Sequence, residues 1–170
     1  MLKKQFSKKG FIYFLIISFA FFLDRISKIY ILNLAESSGA VNIPLTSFLN
    51  FILVWNTGIG FGLFSFDGST MYNLITILIV IVNLIIIYLM LTSNDIRGYL
   101  FSIILGGSLG NLFDRLYYSA VPDFIDFNYN NYHWFVFNVA DIFISVGIMC
   151  LIFVELFFNY FFCFFFRQNF

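Results

Sequence analysis

Apolar and polar positions divide this chain into four long apolar runs and two mixed excursions. The first run begins at Phe11, is free of charge to Leu23, and stays largely apolar past Asp24, Arg25 and Lys28 to Leu32. Met71 to Leu91 carries no charge and ends at Thr92-Ser93-Asn94-Asp95. A third run covers about 98–116 and a fourth about 137–158. Each is close to the ~20 residues a helix needs to cross the hydrocarbon layer. Membrane helices are therefore expected over about 11–32, 71–91, 98–116 and 137–158.

The segment from Asn33 to Thr70 is mixed, with Pro44, several glycines and strand-like alternation around Phe48–Trp55. It is too long for a tight turn and too apolar for a disordered linker, so a small folded excursion is expected. Gly58, Gly60 and Gly62 surround Phe61, where the backbone can turn sharply or approach a ligand closely. The second excursion, Tyr117 to Val136, contains V-P-D-F-I-D-F and then a polar, aromatic turn from Asn128 to Trp134. The expected fold class is an all-α integral membrane protein. It has four transmembrane helices and a small, partly β extracytoplasmic excursion between helices 1 and 2. Residues 1–170 form one polytopic domain.

Composition supports a membrane solvent. With 61% hydrophobic residues, 11% charged residues and a mean hydropathy of +0.93, a water-soluble fold would leave much apolar surface in water. Zero net charge offers no basic face for phosphate, which excludes nucleic acid as a partner. One histidine, His133, and two cysteines, Cys150 and Cys163, have no metal-ligand spacing. No metal is implied, and both cysteines read as apolar filling.

Lys3, Lys4, Lys8 and Lys9 precede the first run and place the N-terminus in the cytoplasm. They imitate the basic region of a secretory signal, yet no A-x-A-like cleavage site follows, so an uncleaved helix is expected. Four crossings then put both termini inside and both excursions outside. Asp24 and Lys28, Asn111 to Arg115, and Asn138 with Asp141 all fall at the outer ends of their helices.

A carboxylate at the centre of a membrane helix costs roughly 2.5–3.5 kcal/mol, less near the edge, and usually has a partner or a task. Asp24 and Lys28 are spaced i,i+4 and can pair, either as a structural ion pair or beside a substrate. Gly106, Gly107 and Gly110 form a small face for close helix approach. Asn111 and Asp114 share a face, and Arg115 could neutralise Asp114 or bind a substrate carbonyl or phosphate. Asn138 and Asp141 are spaced i,i+3, with Ala140 small enough to leave room. Asp123 follows Pro122, whose fixed φ favours a defined position, although Asp126 and Asp114 compete for its role. Two carboxylates meeting across the second excursion suggest a pair sharing one proton. His133, between Tyr132 and Trp134, reads as an interfacial anchor rather than a base.

Taken together, these motifs resemble the lipoprotein signal peptidases (signal peptidase II) of bacteria. The family's Asp and Lys four apart match Asp24 and Lys28, and its N-x-G element matches N-T-G-I-G-F at Asn56–Phe61. G-G-x-x-G-N-x-x-D-R matches Gly106–Arg115, V-x-D-F matches Val121–Phe124, and F-N-x-A-D matches Phe137–Asp141. Pro122, Gly60 and Arg25 depart from the family's usual aliphatic residue, Ala and Gln. The resemblance implies an aspartic endopeptidase of the bacterial inner membrane, working at its extracytoplasmic face. It implies Asp123 and Asp141 as the catalytic pair, with Asn56, Gly58, Asn111, Asp114, Arg115, Asn138, Ala140, Asp24 and Lys28 in support. The partners implied are diacylglyceryl-modified prolipoproteins, cleaved before the lipid-bearing cysteine, and membrane lipid. No cofactor and no obligate protein partner is implied.

The alternative is an ion- or proton-coupled transporter using intramembrane carboxylates. A relay would spread its charges through the bilayer depth, whereas these cluster at one face. A purely structural subunit leaves the cost of Asp141 unexplained.

Overall fold

The computed structural model describes residues 2–58, 69–129 and 132–167, with side chains over 8–58, 70–129 and 132–157. Its elements are α1 (Leu2–Ser38), β1 (Asn42–Pro44), β2 (Leu49–Asn56), α2 (Ser69–Thr92), α3 (Arg97–Tyr118), β3 (Val121–Tyr129), β4 (Tyr132–Phe137) and α4 (Val139–Arg167). Helix α3 is the hub and packs against the other three helices. Among the described residues, three helical stretches, Lys8–Ser38, Thr70–Thr92 and Val139–Phe157, are long and apolar enough to cross a membrane. Their large apolar side chains point outward, among them Phe14 and Phe22 on α1, Leu84 and Tyr88 on α2, and Met149 and Phe153 on α4.

Helix α3 is not among these apolar stretches, for a physical reason. Packed against three helices, it needs small residues and can hold polar ones, so lipid-like composition is not required of it. A Cβ at Gly106 would lie 2.7 Å from the Ala20 Cβ, and one at Gly107 would lie 2.6 Å from the Ala140 carbonyl oxygen. The two glycines thus let α1 and the start of α4 close onto α3. At the cytoplasm-proximal end expected from the lysines, Tyr13, Met90 and Leu105 form a core between α1, α2 and α3.

The all-α expectation, with β structure only between helices 1 and 2, is corrected. Both excursions contribute to one antiparallel sheet of order β1-β2-β3-β4. The segment read as an aromatic turn supplies the β3–β4 hairpin. Its first half is buried on both faces, which hides the alternation that marks a half-buried strand. Helix α1 also runs to Ser38 rather than Leu32, because its C-terminal turns carry Ile31, Leu34 and Ala35 against Val41, Phe51, Leu53 and Phe124 of the sheet region. Helix α4 continues to Arg167, beyond the expected 158.

Candidate active site

The sheet register builds one half of the site. Val54 lies opposite Asp123 and Asn56 opposite Val121, so Asn56 and Asp123 are diagonal neighbours on one face. The Asn56 amide Nδ2 donates to Asp123 Oδ2 at 2.8 Å. Its own Oδ1 accepts the Gly58 backbone N–H at 2.8 Å, which fixes the amide's orientation at the strand end. Gly60, Phe61 and Gly62 lie outside the described residues.

The hairpin then returns the chain to the same place. Strand β4 ends at Phe137, and Asn138 caps α4. The Asn138 backbone N–H donates to Asp141 Oδ2 at 3.1 Å, and the Asp141 N–H donates to Asn138 Oδ1 at 3.0 Å. This reciprocal pair is a capping box with Asn at the cap and Asp three residues later. Because Asn138 Oδ1 faces the helix, its Nδ2 is turned outward and donates to Asp123 Oδ1 at 2.6 Å. Asn138 therefore ties both carboxylates together, Asp123 through its side-chain amide and Asp141 through its backbone N–H, and Asn111 Nδ2 completes the shell by donating to Asp141 Oδ1 at 2.8 Å.

A second carboxylate pair lies beside the first. Lys28 Nζ donates to Asp24 Oδ2 at 2.9 Å, Asp114 Oδ2 at 2.7 Å and the Asn111 side-chain Oδ1 at 2.9 Å. Arg25 pairs with Asp114 at 2.6 Å and with Asp24 at 3.4 Å. Asp24 Oδ1 also accepts the Ala140 backbone N–H at 2.9 Å. Helix α1 thus supplies a carboxylate to the free amides and positive end of α4. Gly110 makes room for it, since a Cβ there would lie 2.6 Å from Asp24 Oδ2.

The residues expected at the site lie together here, and the geometry decides between the two roles left open for Arg115. Arg115 does not neutralise Asp114; Lys28 and Arg25 do. The Arg115 guanidinium instead donates to the Gly58 carbonyl oxygen and lies 5.8 Å from the Tyr72 ring centroid. Arg25, which sequence comparison flagged only as a departure from the family's usual Gln, bridges two buried carboxylates. Its position beside Asp24 was the available signal.

Asp126 is buried on β3, but it faces away from this cluster and accepts from His133 Nδ1 at 2.8 Å and Asn128 Nδ2 at 3.1 Å. His133 therefore tethers the hairpin.

The electrostatics separate the two pairs. Four buried carboxylates (Asp24, Asp114, Asp123, Asp141) share the cluster with three buried cations (Arg25, Lys28, Arg115). The cations of α1 contact Asp24 and Asp114, so the surplus negative charge falls on Asp123 and Asp141. Burial pushes the Asp123 carboxyl up to about 7, and the Asp141 charge adds to the rise. The Asn56 and Asn138 amides partly oppose it. Near neutral pH the pair can hold one proton and offer one ionised carboxylate, which is the equipment of a general acid and a general base. A groove of about 250 Å³ leads to Asp141, lined by Phe135, Phe137, Ile142, Ser145 and Val146.

Residues 16–158 match the family described as signal peptidase (SPase) II. A lipoprotein signal peptidase of Pelagibacter ubique (strain HTCC1062) is 55% identical over 152 residues, covering 89% of this chain and 92% of that protein. One from Anaplasma phagocytophilum (strain HZ) is 36% identical over 152 residues, covering 88% and 94%. A bacterial membrane enzyme solved by the in meso method at 2.3 Å superposes with a TM-score of 0.67 at 25% identity, over 85% of this chain and 87% of that one.

Proposed function

The chain belongs to the signal peptidase II family, and from that premise we propose that it is a membrane aspartic endopeptidase with Asp123 and Asp141 as its catalytic pair. It is a peptidase that removes signal peptides from prolipoproteins; its relatives are peptidases and not transporters. The finer reading is cleavage just before a cysteine that already carries a diacylglyceryl thioether. Helix α3 serves as the fourth crossing, both termini lie in the cytoplasm, and the site works at the outer face of the bacterial inner membrane.

The observation that carries this reading is the surplus charge on the one carboxylate pair without a cation. A pair that only held helices together would be neutralised, as Asp24 and Asp114 are. The ionised member takes a proton from a water molecule, whose oxygen attacks the scissile carbonyl carbon. The protonated member gives its proton to the carbonyl oxygen, forming a tetrahedral diol. Collapse breaks the C–N bond, the leaving amine takes the proton held by the first carboxyl, and the second regains its proton from the diol. Asn56, Asn111 and Asn138 hold the carboxylates in place, while Arg115 steadies the chain at Gly58. The groove beside Asp141 is walled by the exposed apolar residues Ile142 and Val146, so an embedded signal helix can approach sideways through lipid.

The test is a cleavage assay with a diacylglyceryl-modified prolipoprotein beside the same precursor unmodified. Cleavage before the cysteine of the modified form alone is expected. Equal cleavage of both, or cleavage elsewhere, would refute the lipid-dependent reading.

A further inference from the structure

A second groove, of about 490 Å³, lies between the outer turns of α1 and the face of β2 that does not carry Asn56. Its walls include Ile29, Leu32 and Glu36 of α1, Leu53 and Trp55 of β2, and Tyr118 at the end of α3. Leu53 and Trp55 alternate along β2 with Val54 and Asn56, so the sheet separates this groove from Asp123. It has no part in the chemistry above.

Depth and charge indicate its occupant. Counting ~30 Å of hydrocarbon at ~1.5 Å per residue from Phe11 puts the outer boundary near Ile31. Ile29 and Leu32 then flank that boundary, and Glu36 stands about 7 Å beyond Ile31, within the headgroup layer. The Trp55 and Tyr118 rings meet at 57° with centroids 5.5 Å apart, forming two walls of an aromatic corner. Trp55 remains 46% exposed. Glu36 is exposed and, among the described residues, makes no ion pair. The nearest cations along α1, Arg25 and Lys28, are already held by Asp24 and Asp114.

We propose that this groove binds a membrane phospholipid whose headgroup carries a primary ammonium, as in phosphatidylethanolamine. The ammonium sits between the Glu36 carboxylate and the two ring faces, where carboxylate and π charge both attract a cation. The upper acyl segment lies along Ile29, Leu32 and Leu53. A headgroup without an ammonium would bring its phosphate toward Glu36 with nothing to offset the repulsion. Lipid seated there braces the sheet strand next to β3 against α1.

The chain has two tryptophans, so Trp134→Phe leaves Trp55 as the sole tryptophan, excited selectively over tyrosine. That variant, purified in a neutral detergent, is titrated with phosphatidylethanolamine or with phosphatidylglycerol of the same acyl chains, and Trp55 emission is followed. A saturable blue shift with phosphatidylethanolamine alone is expected. Adding Glu36→Gln is expected to raise its half-saturation concentration about tenfold, the usual scale for one charge-assisted contact. Tyr118→Leu in the same background is expected to weaken binding too, and thermal unfolding of each variant verifies folding. The same shift with both lipids, or unchanged phosphatidylethanolamine binding in folded Glu36→Gln, would overturn the proposal.

Discussion

The end of the helix bundle that meets the sheet holds two carboxylate pairs in similar burial but opposite electrostatic settings. Asp24 and Asp114 are bridged by Lys28 and Arg25, and Asp24 also caps α4 through the Ala140 N–H. Among the described residues, Asp123 and Asp141 receive only N–H groups: the amides of Asn56, Asn111 and Asn138 and the Asn138 backbone. Amide dipoles fix geometry without cancelling charge, so a proton must do so. The difference teaches that burial alone does not mark a reactive carboxylate. What surrounds it decides whether it locks helices together or exchanges protons.

The largest expected effect falls on the cation-free pair. Asp123→Asn and Asp141→Asn keep size and one of the two acceptor oxygens but cannot exchange the proton. Each is expected to lower turnover roughly 10³-fold or more in a cleavage assay, with substrate binding retained. The double variant is expected to be little worse than either single one, because the two act as a unit. Fully additive losses would mean that they act independently.

The cation-bound pair is expected to respond in stability instead. Asp24→Asn leaves Lys28 and Arg25 with one buried carboxylate between them and removes a charge from the α4 cap. A loss of about 3–5 kcal/mol is expected in reversible unfolding. Asp24→Asn combined with Lys28→Met is expected to lose less than Asp24→Asn alone, since the charges balance again. A double variant worse than the single one would argue against an ion pair as the main link.

Smaller effects sharpen the boundary between the pairs. Asn56→Ala removes a hydrogen bond that holds the Asp123 carboxyl down, so Asp123 is expected to stay protonated to a pH above its present value of about 7. The limb of the pH–rate profile set by Asp123 would move upward. Asp141→Asn removes a charge that raises Asp123, and titration of Asp123 by difference infrared spectroscopy is expected to move downward. Asp126→Asn is expected to retain most activity, since Asp126 answers to His133 and Asn128 within the hairpin.

The helices and the carboxylates were legible in the sequence because lipid imposes long apolar runs in which a charge stands out. The strand bearing Asp123 was not: V-P-D-F-I-D is buried on both faces, so its pattern shows no alternation. The C-terminal turns of α1 were missed because only a narrow stripe, Ile31, Leu34 and Ala35, meets the sheet there. Pairings between distant elements, such as Asp24 with the Ala140 N–H and Arg25 with Asp114, arise from packing and have no local signature. Capping was closer to the surface, since Asn138 and Asp141 have the spacing of a capping box.

Thermal unfolding of the wild type, Asp123→Asn and Asp24→Asn between pH 5 and 8.5 tests the contrast most directly. The Asp123 carboxyl has its folded value raised to about 7 from an ordinary value of 3.8. The folded state therefore binds the extra proton between those values, and stability from this group falls as pH rises toward 7. By pH 8 the full cost of the buried charge is present. Asp123→Asn removes that cost, so its unfolding midpoint is expected to exceed the wild type's at pH 8, with the gap narrowing toward pH 5. Asp24→Asn is expected to unfold at lower temperature than the wild type throughout. An Asp123→Asn midpoint at pH 8 that falls as far as that of Asp24→Asn would contradict the account, because both pairs would then be structural.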